Sequence, residues 1–264
     1  QEGSISVLNY ANRILQLPLG LFVIAISQAV LPQLARAEGP EDFAETLRQA
    51  LRFALFIVLP ASLGLMLISG PFVHVVFVRG EFNDWAWRAT SSCLALSMLG
   101  LPGMACSTVV MRALYALSMP REAFKTTLFS VAATALLSAT LMLPMGYNGL
   151  ALAPSIAFTL SGLLGLRYVR GKLGRSLNVL SQAWLTKTAA ALAALALVTA
   201  AWRLALPYRP EATLTLRSAW HLGVIVVGMA AYGGTTLALR CSEWGLIRDA
   251  FSRRGKKDRD KGQG

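Results

Sequence analysis

Ile14–Ala35 is a run of 22 residues without one charged side chain. At about 1.5 Å per residue, a helix of that length crosses the roughly 30 Å hydrocarbon core of a bilayer. Hydrocarbon offers no partner to the backbone, so a single segment buried there must satisfy itself as an α-helix. The run is entered through Asn9-Tyr-Ala-Asn-Arg13, which sets a guanidinium at its lip. A cation there is costly unless water or an anion lies near it. A membrane span that holds a cation points to movement of an anionic substrate.

The same pattern recurs along the chain. Uncharged runs predict spans near Leu8–Leu34, Ala50–Ser69, Thr90–Ala116, Ala123–Leu143, Leu150–Val169, Ala183–Leu206 and Trp220–Ala238. Pro144-Met-Gly-Tyr-Asn-Gly149 is turn-forming and splits the fourth span from the fifth. Charged residues make up 14% of the chain, against about a quarter in globular domains. The expected fold is therefore all-α, a polytopic membrane bundle of about seven helices over residues 1–240. A basic cytoplasmic tail is expected over residues 241–264. Glu38-Gly-Pro-Glu-Asp-Phe-Ala-Glu45 reads as a short amphipathic helix on the membrane surface. The chain opens at Gln1, close to a span and with no signal peptide, and so reads as the C-terminal part of a longer protein.

The basic residues give an orientation. With the C-terminus cytoplasmic, 19 lie inside, five outside (Arg79, Arg88, Arg203, Arg209 and Arg217), and Arg13 completes the 25. That asymmetry favours an odd number of spans with the C-terminus inside the cell membrane. The net charge of +12 is thus used for membrane orientation. No aromatic-interleaved basic face or zinc spacing supports nucleic-acid binding, and no nucleic-acid partner is expected. Cys93, Cys106 and Cys241 have no paired spacing and read as packing residues. The tail from Arg253 to Lys261 reads as a solvated end near anionic lipid.

Polar groups at membrane depth narrow the function. Asn12 and Gln16 share a helix face, with Arg13 beside them. An arginine snorkelling to the headgroups is the competing account. Lys125 stands at the cytoplasmic entrance of the fourth span, where positive-inside lysines are common. His74 and His221 have no second ligand nearby and read as satisfied or interfacial histidines. Thr126, Thr127, Ser130, Thr134 and Ser138 run at helical spacing along the fourth span. Interhelical hydrogen bonding accounts for them better than a weakly held cation does. Leu101-Pro-Gly103 at mid-span is the strongest hinge candidate. The spans offer no carboxylate for a proton relay or an acidic cation site. No catalytic residue, metal site or cofactor is expected.

Tyr10-Ala-Asn-Arg13, Gln16-Leu-Pro-Leu-Gly-Leu-Phe22, Val30-Leu-Pro-Gln-Leu34, Val76-Phe-Val-Arg-Gly-Glu-Phe82 and the Leu114-Tyr115 region leading to Lys125 carry a resemblance. In these blocks the chain resembles the MurJ/MviN family of lipid II flippases, within the multidrug/oligosaccharidyl-lipid/polysaccharide exporter superfamily. The resemblance covers nearly the whole chain in order and span count; the last two spans match only in hydrophobicity. It implies one lobe, spans eight to fourteen, of a two-lobed flippase with a cationic central cavity. It also implies that Arg13, with Asn12 and Gln16 around it, holds a lipid-linked pyrophosphate, and that Lys125 takes part. Many members have an acidic residue directly before the arginine where this chain has Asn12. An amide can still orient a guanidinium by hydrogen bonding.

The function this implies is translocation of undecaprenyl-diphosphate-linked muropeptide, lipid II, across the bacterial inner membrane by alternating access, without bond making. The expected partners are lipid II, membrane lipids and the missing N-terminal lobe. An exporter of another polyprenyl-linked glycan or of a drug is the nearest alternative. A polytopic membrane enzyme would need an acid, base or metal cluster at the surface, and the acidic cluster from Glu38 to Glu45 has no histidine or cysteine beside it. A non-transporting scaffold is the remaining alternative.

Overall fold

The structure, a computed structural model, describes residues 3–77, 82–174 and 179–245. Its helices are α1 (Ser4–Pro18), a π-helical segment (Leu19–Ile24), α2 (Ala25–Ala35), α3 (Pro40–Leu67), α4 (Ser69–Phe77), α5 (Asp84–Ala116), α6 (Pro120–Met145), α7 (Tyr147–Leu173), α8 (Gln182–Ala205) and α9 (Leu214–Ala238). Six of these (α3 and α5 to α9) are long and apolar enough to cross a membrane. The seventh span is α1, the π segment and α2, which follow one another directly from Ser4 to Ala35. The protein is an all-helical, multi-pass membrane bundle. Residues 78–81 of the fourth resemblance block, Arg175, and the expected tail from residue 246 on lie outside the described residues.

The second span starts earlier than its uncharged run. Gly39 takes φ 94°, which a residue with a side chain resists, and so turns the chain after α2. Pro40 then occupies the first turn of α3, with Glu41 and Asp42 beside it at the positive end of the helix dipole. Nothing before Ala50 breaks the helix. Arg48 pairs with Glu45 one turn away, and Gln49 donates to the same Glu45 at 2.8 Å. The expected surface helix over Glu38–Glu45 is therefore the first turns of α3.

The core is built around α5, which buries side chains along its whole length, from Ala89 to Leu114. Packed on it are α1, α2, α3, α4 and α7. Helix α5 passes through Leu101-Pro-Gly103 unbroken. The flanking glycines, Gly100 and Gly103, bring α7 close. A Cβ on Gly100 would stand 2.3 Å from Ser155 Oγ, and one on Gly103 would stand 2.1 Å from Thr159 Oγ1. Gly162 and Gly165 of α7 face Ser107 and Val110 in the same way. Small residues permit such backbone approach, which drives helix association in lipid.

The threonine hydroxyls of α6 are satisfied within that helix rather than by the expected bonds between helices. Thr126, Thr127 and Thr134 donate to carbonyls one turn back, and Ser161 of α7 donates to Thr126 O at 3.3 Å. At the edge of the bundle, α8 and α9 form a hairpin that rests on α3 through Phe56, Ala191, Leu195 and Tyr232. Beyond α9 the chain turns back, and Trp184 Nε1 donates to the buried Glu243 at 2.7 Å.

Candidate functional site

The first span places its polar residues on one stripe. Val7, Ala11, Ile14, Leu15 and Pro18 of α1 are buried against the bundle. Asn9, Asn12, Arg13 and Gln16 are exposed on the opposite side. Their spacing is i, i+3, i+4 and i+7, the spacing of a single helix face. Asn9 is absent from the candidates that sequence reasoning selects. Its signal is that it lies one turn before Arg13, on the same face of the helix.

Arg13 sits nine residues into α1, about 14 Å along the axis from Ser4. Arg13 stands at the mouth of the uncharged run, where a charge facing lipid is costly, by up to about 2.5–3.5 kcal/mol at the bilayer centre on insertion scales. Three amides on the same stripe add further polar surface. An apolar bilayer is the wrong solvent for such a face, so it suits a wet cavity or a polar partner. Among the described residues, the side chains of Asn12, Arg13, Gln16 and Lys125 make no hydrogen bond or ion pair within the chain. Their donors are available to a ligand.

Lys125 is also exposed, on the first turns of α6. It does not join the stripe in one hydrogen-bonded cluster: α6 packs chiefly on α7, and α1 chiefly on α5. On α6 only Ala123, Thr126 and Ser130 are buried, so most of that helix faces outward. Phe124, Leu128 and Phe129 surround Lys125 with apolar surface. The lysine and Arg121, exposed one turn before it, are thus cations at the head of an otherwise apolar face.

A second feature is a cleft of about 690 Å³ between α3, α5, α7 and α8. Leu55, Leu59, Leu163 and Leu185 give it apolar walls, and Arg167 and Arg170 stand at its edge. The cleft fits an alkyl chain better than a sugar. Its walls come from four helices, which no single uncharged run reveals.

At the end of the bundle that carries α4, His74 is the centre of a polar and aromatic cluster. Its Nδ1 accepts from Tyr208 Oη at 2.9 Å and from Arg217 at 3.3 Å. Arginine can only donate, so the ring proton is on Nε2. Trp87 and Tyr208 meet the imidazole edge-on at 5.0 and 5.6 Å. Burial and the Arg217 charge hold its pKa below the usual histidine value. His221 donates through Nδ1–H to Arg217 O at 2.7 Å. Both histidines are accordingly built into the packing. Among the described residues, no three of His, Cys, Asp and Glu come together as metal ligands would.

The comparisons with known proteins agree with this architecture. The family model described as "Lipid II flippase MurJ" matches residues 1–228. A probable lipid II flippase MurJ of Rhizobium meliloti is 32% identical over 262 residues, which is 96% of this chain and 48% of that protein. One from Thermotoga maritima is 33% identical over 156 residues, 59% of this chain and 33% of that protein. Among solved structures, lipid II flippase MurJ in an inward closed conformation matches with a TM-score of 0.71 and 25% identity. The match covers 91% of this chain and 48% of that one. The chain spans about half the length of these relatives at most. With the family model matched over most of its length, the chain belongs to the MurJ lipid II flippase family.

Proposed function

We propose that this chain is the C-terminal lobe of an inner-membrane flippase that moves lipid II. The observation that carries the proposal is the stripe Asn9–Asn12–Arg13–Gln16, polar, exposed and leading into the uncharged run on a helix whose other side is core. Facing a second lobe, it lines half of a cavity with one cation and three amides. Arg13 offers a planar fork of donors to the diphosphate, the geometry that favours paired hydrogen bonds to phosphate oxygens. Lys125 adds a second positive charge away from that contact. The prenyl chain stays in an apolar groove beside the last spans, and the cleft lined by Leu55, Leu59, Leu163 and Leu185 fits that role.

No bond is made or broken in this scheme, and the chain acts as a transporter lobe. Rocking of two lobes about the fixed headgroup site exposes it to each side in turn. The C-terminus is cytoplasmic, so α4 and the α8–α9 turn face outward; the excess of Lys and Arg on the other side supports that orientation. A membrane potential negative inside acts on both the cationic cavity and its anionic cargo.

The test is rescue of cells depleted of their own lipid II flippase by the full-length protein. Growth and restored appearance of lipid II at the outer face are expected. A full-length protein that reaches the membrane but does not rescue overturns the substrate assignment in favour of another polyprenyl-linked glycan or a drug.

A further inference from the structure

We propose that the recess at the turn between α8 and α9 binds the phosphodiester headgroup of an anionic membrane lipid. The recess holds about 380 Å³ and is lined by Trp202, Tyr208, Arg209, Leu216, Arg217 and Trp220, among others. Its chemistry is one-sided. Arginine and the indole N–H are donors without an acceptor, and a phosphodiester offers acceptors only. Tyr208 and Trp220 are already committed: the first bonds to His74, and the second donates to Leu206 O at 2.7 Å. The donors that remain are Arg209, Arg217 Nε and Trp202 Nε1. Both of the latter atoms are buried with no hydrogen-bond partner among the described residues. A buried donor left unpaired costs about 1–3 kcal/mol, so two on residues that line one recess favour a small shift of those side chains toward an acceptor inside it.

The charge around the recess supports the same ligand. Three of the five basic residues on that side, Arg203, Arg209 and Arg217, lie on the α8–α9 turn or its flanks. Arg203 is spent on capping α3, donating to Leu67 O at 2.9 Å. Glu211, in the same turn, is not a lining residue and forms no ion pair among the described residues. The recess therefore keeps its positive charge.

The surroundings select a lipid over a soluble phosphate. Leu204 and Leu206, at the end of α8, are 85% and 50% exposed, and Leu214 and Leu216, opening α9, are 50% and 59% exposed. Leucines beside a pair of guanidiniums suit acyl chains below a headgroup. Trp202, Tyr208 and Trp220 place aromatic rings at the level where such rings sit in membrane proteins. Occupancy would also brace the fold, since Arg217 reaches both the recess and His74 of α4. That the lipid comes from the outer leaflet rests on the orientation proposed above; the headgroup site does not.

The test is native mass spectrometry of the full-length protein equilibrated with equal amounts of phosphatidylglycerol and phosphatidylcholine. The wild type is expected to retain one tightly held phosphatidylglycerol. Arg209→Gln/Arg217→Gln should weaken that retention by roughly tenfold, the size of a lost charge-assisted contact, with phosphatidylcholine unchanged. Arg209→Gln alone, at an exposed side chain with no structural hydrogen bond among the described residues, should lower it in the same direction even if the double variant fails to fold. Equal retention in the wild type and Arg209→Gln overturns the site. Displacement of phosphatidylglycerol by excess inorganic phosphate overturns the lipid in favour of a soluble phosphate. Protein that retains the lipid but does not move lipid II leaves this site standing and overturns only the flippase reading.

Discussion

Arg13 draws its meaning from its neighbours on the helix surface. Replacing it by Ala in the full-length protein removes every phosphate donor of that side chain. Charge-assisted hydrogen bonds contribute about 1.5–3 kcal/mol, so lipid II binding should fall by roughly tenfold to a hundredfold. Arg13→Lys keeps the charge but not the fork and should fall between the two. Asn9→Ala should weaken binding by a smaller factor, because an amide on the same stripe adds a neutral contact. Titration of lipid II onto the three purified variants separates these, and an Arg13→Ala protein that binds like wild type removes the guanidinium from the site.

His74 makes a different prediction. Burial and the Arg217 charge, with a smaller effect from His221, hold its pKa below the usual value, and Asp84 works weakly against them. The folded protein keeps the imidazole neutral, and the unfolded chain takes up its proton first. Stability from this cluster is therefore complete above about pH 6.5 and is lost as the pH falls through the lowered value. Thermal unfolding of wild type and His74→Gln between about pH 7.5 and 5 should show a wild-type advantage that shrinks on acidification. An advantage that stays level would exclude the imidazole as its source.

At the scale of the helices, the seam of α5 and α7 is where substitution should hurt most. Gly103→Ala would bring its Cβ to 2.1 Å from Thr159 Oγ1 and 3.0 Å from Thr159 Cα, which is backbone. Overpacking of that kind costs about 1–3 kcal/mol. Gly64→Ala, in the interior of α3 with nothing within 4 Å, should be neutral or stabilising by up to about 1 kcal/mol. Unfolding of both variants in one detergent gives the two signs directly. The spans themselves were legible because a membrane demands long uncharged runs, and Ile14–Ala35 meets that demand without help from the rest of the chain. The work of Leu101-Pro-Gly103 was not legible. A proline with glycines reads as a break, and only the approach of Ser155 and Thr159 shows that the glycines make a contact. The His74 cluster was hidden for the same reason: its partners Tyr208 and Arg217 lie 134 and 143 residues away in sequence. At the candidate site, Arg13 and Gln16 could be found from one helix, whereas the relation of Lys125 to them depends on how α1 and α6 are arranged around α5 and α7.

The molecule as a whole presents two kinds of outward surface. One is the polar stripe of α1, and the other is the apolar face of α6, where Leu143 is 83% exposed. Water should reach the first and lipid the second. In a full-length protein freed of its native cysteines, Gln16→Cys should react with a membrane-impermeant maleimide and Leu143→Cys should not. Protection at Gln16 with reaction at Leu143 would place the cavity on the wrong side of the lobe.

The π-helical segment Leu19–Ile24 lies directly after the stripe, next to Pro18, which cannot donate a backbone hydrogen bond to the turn before it. A π turn accommodates one residue more than an α turn, and one residue is worth about 100° of helical rotation. The first span therefore carries two phases, one for the stripe and one for the half that continues to Ala35. Shortening the segment by a single residue, at Gly20 for instance, would restore one phase throughout. Arg13 would then swing by about 100° relative to α2, away from the direction that its chemistry requires. The aim of the guanidinium is set by chain length as much as by any side chain that touches it.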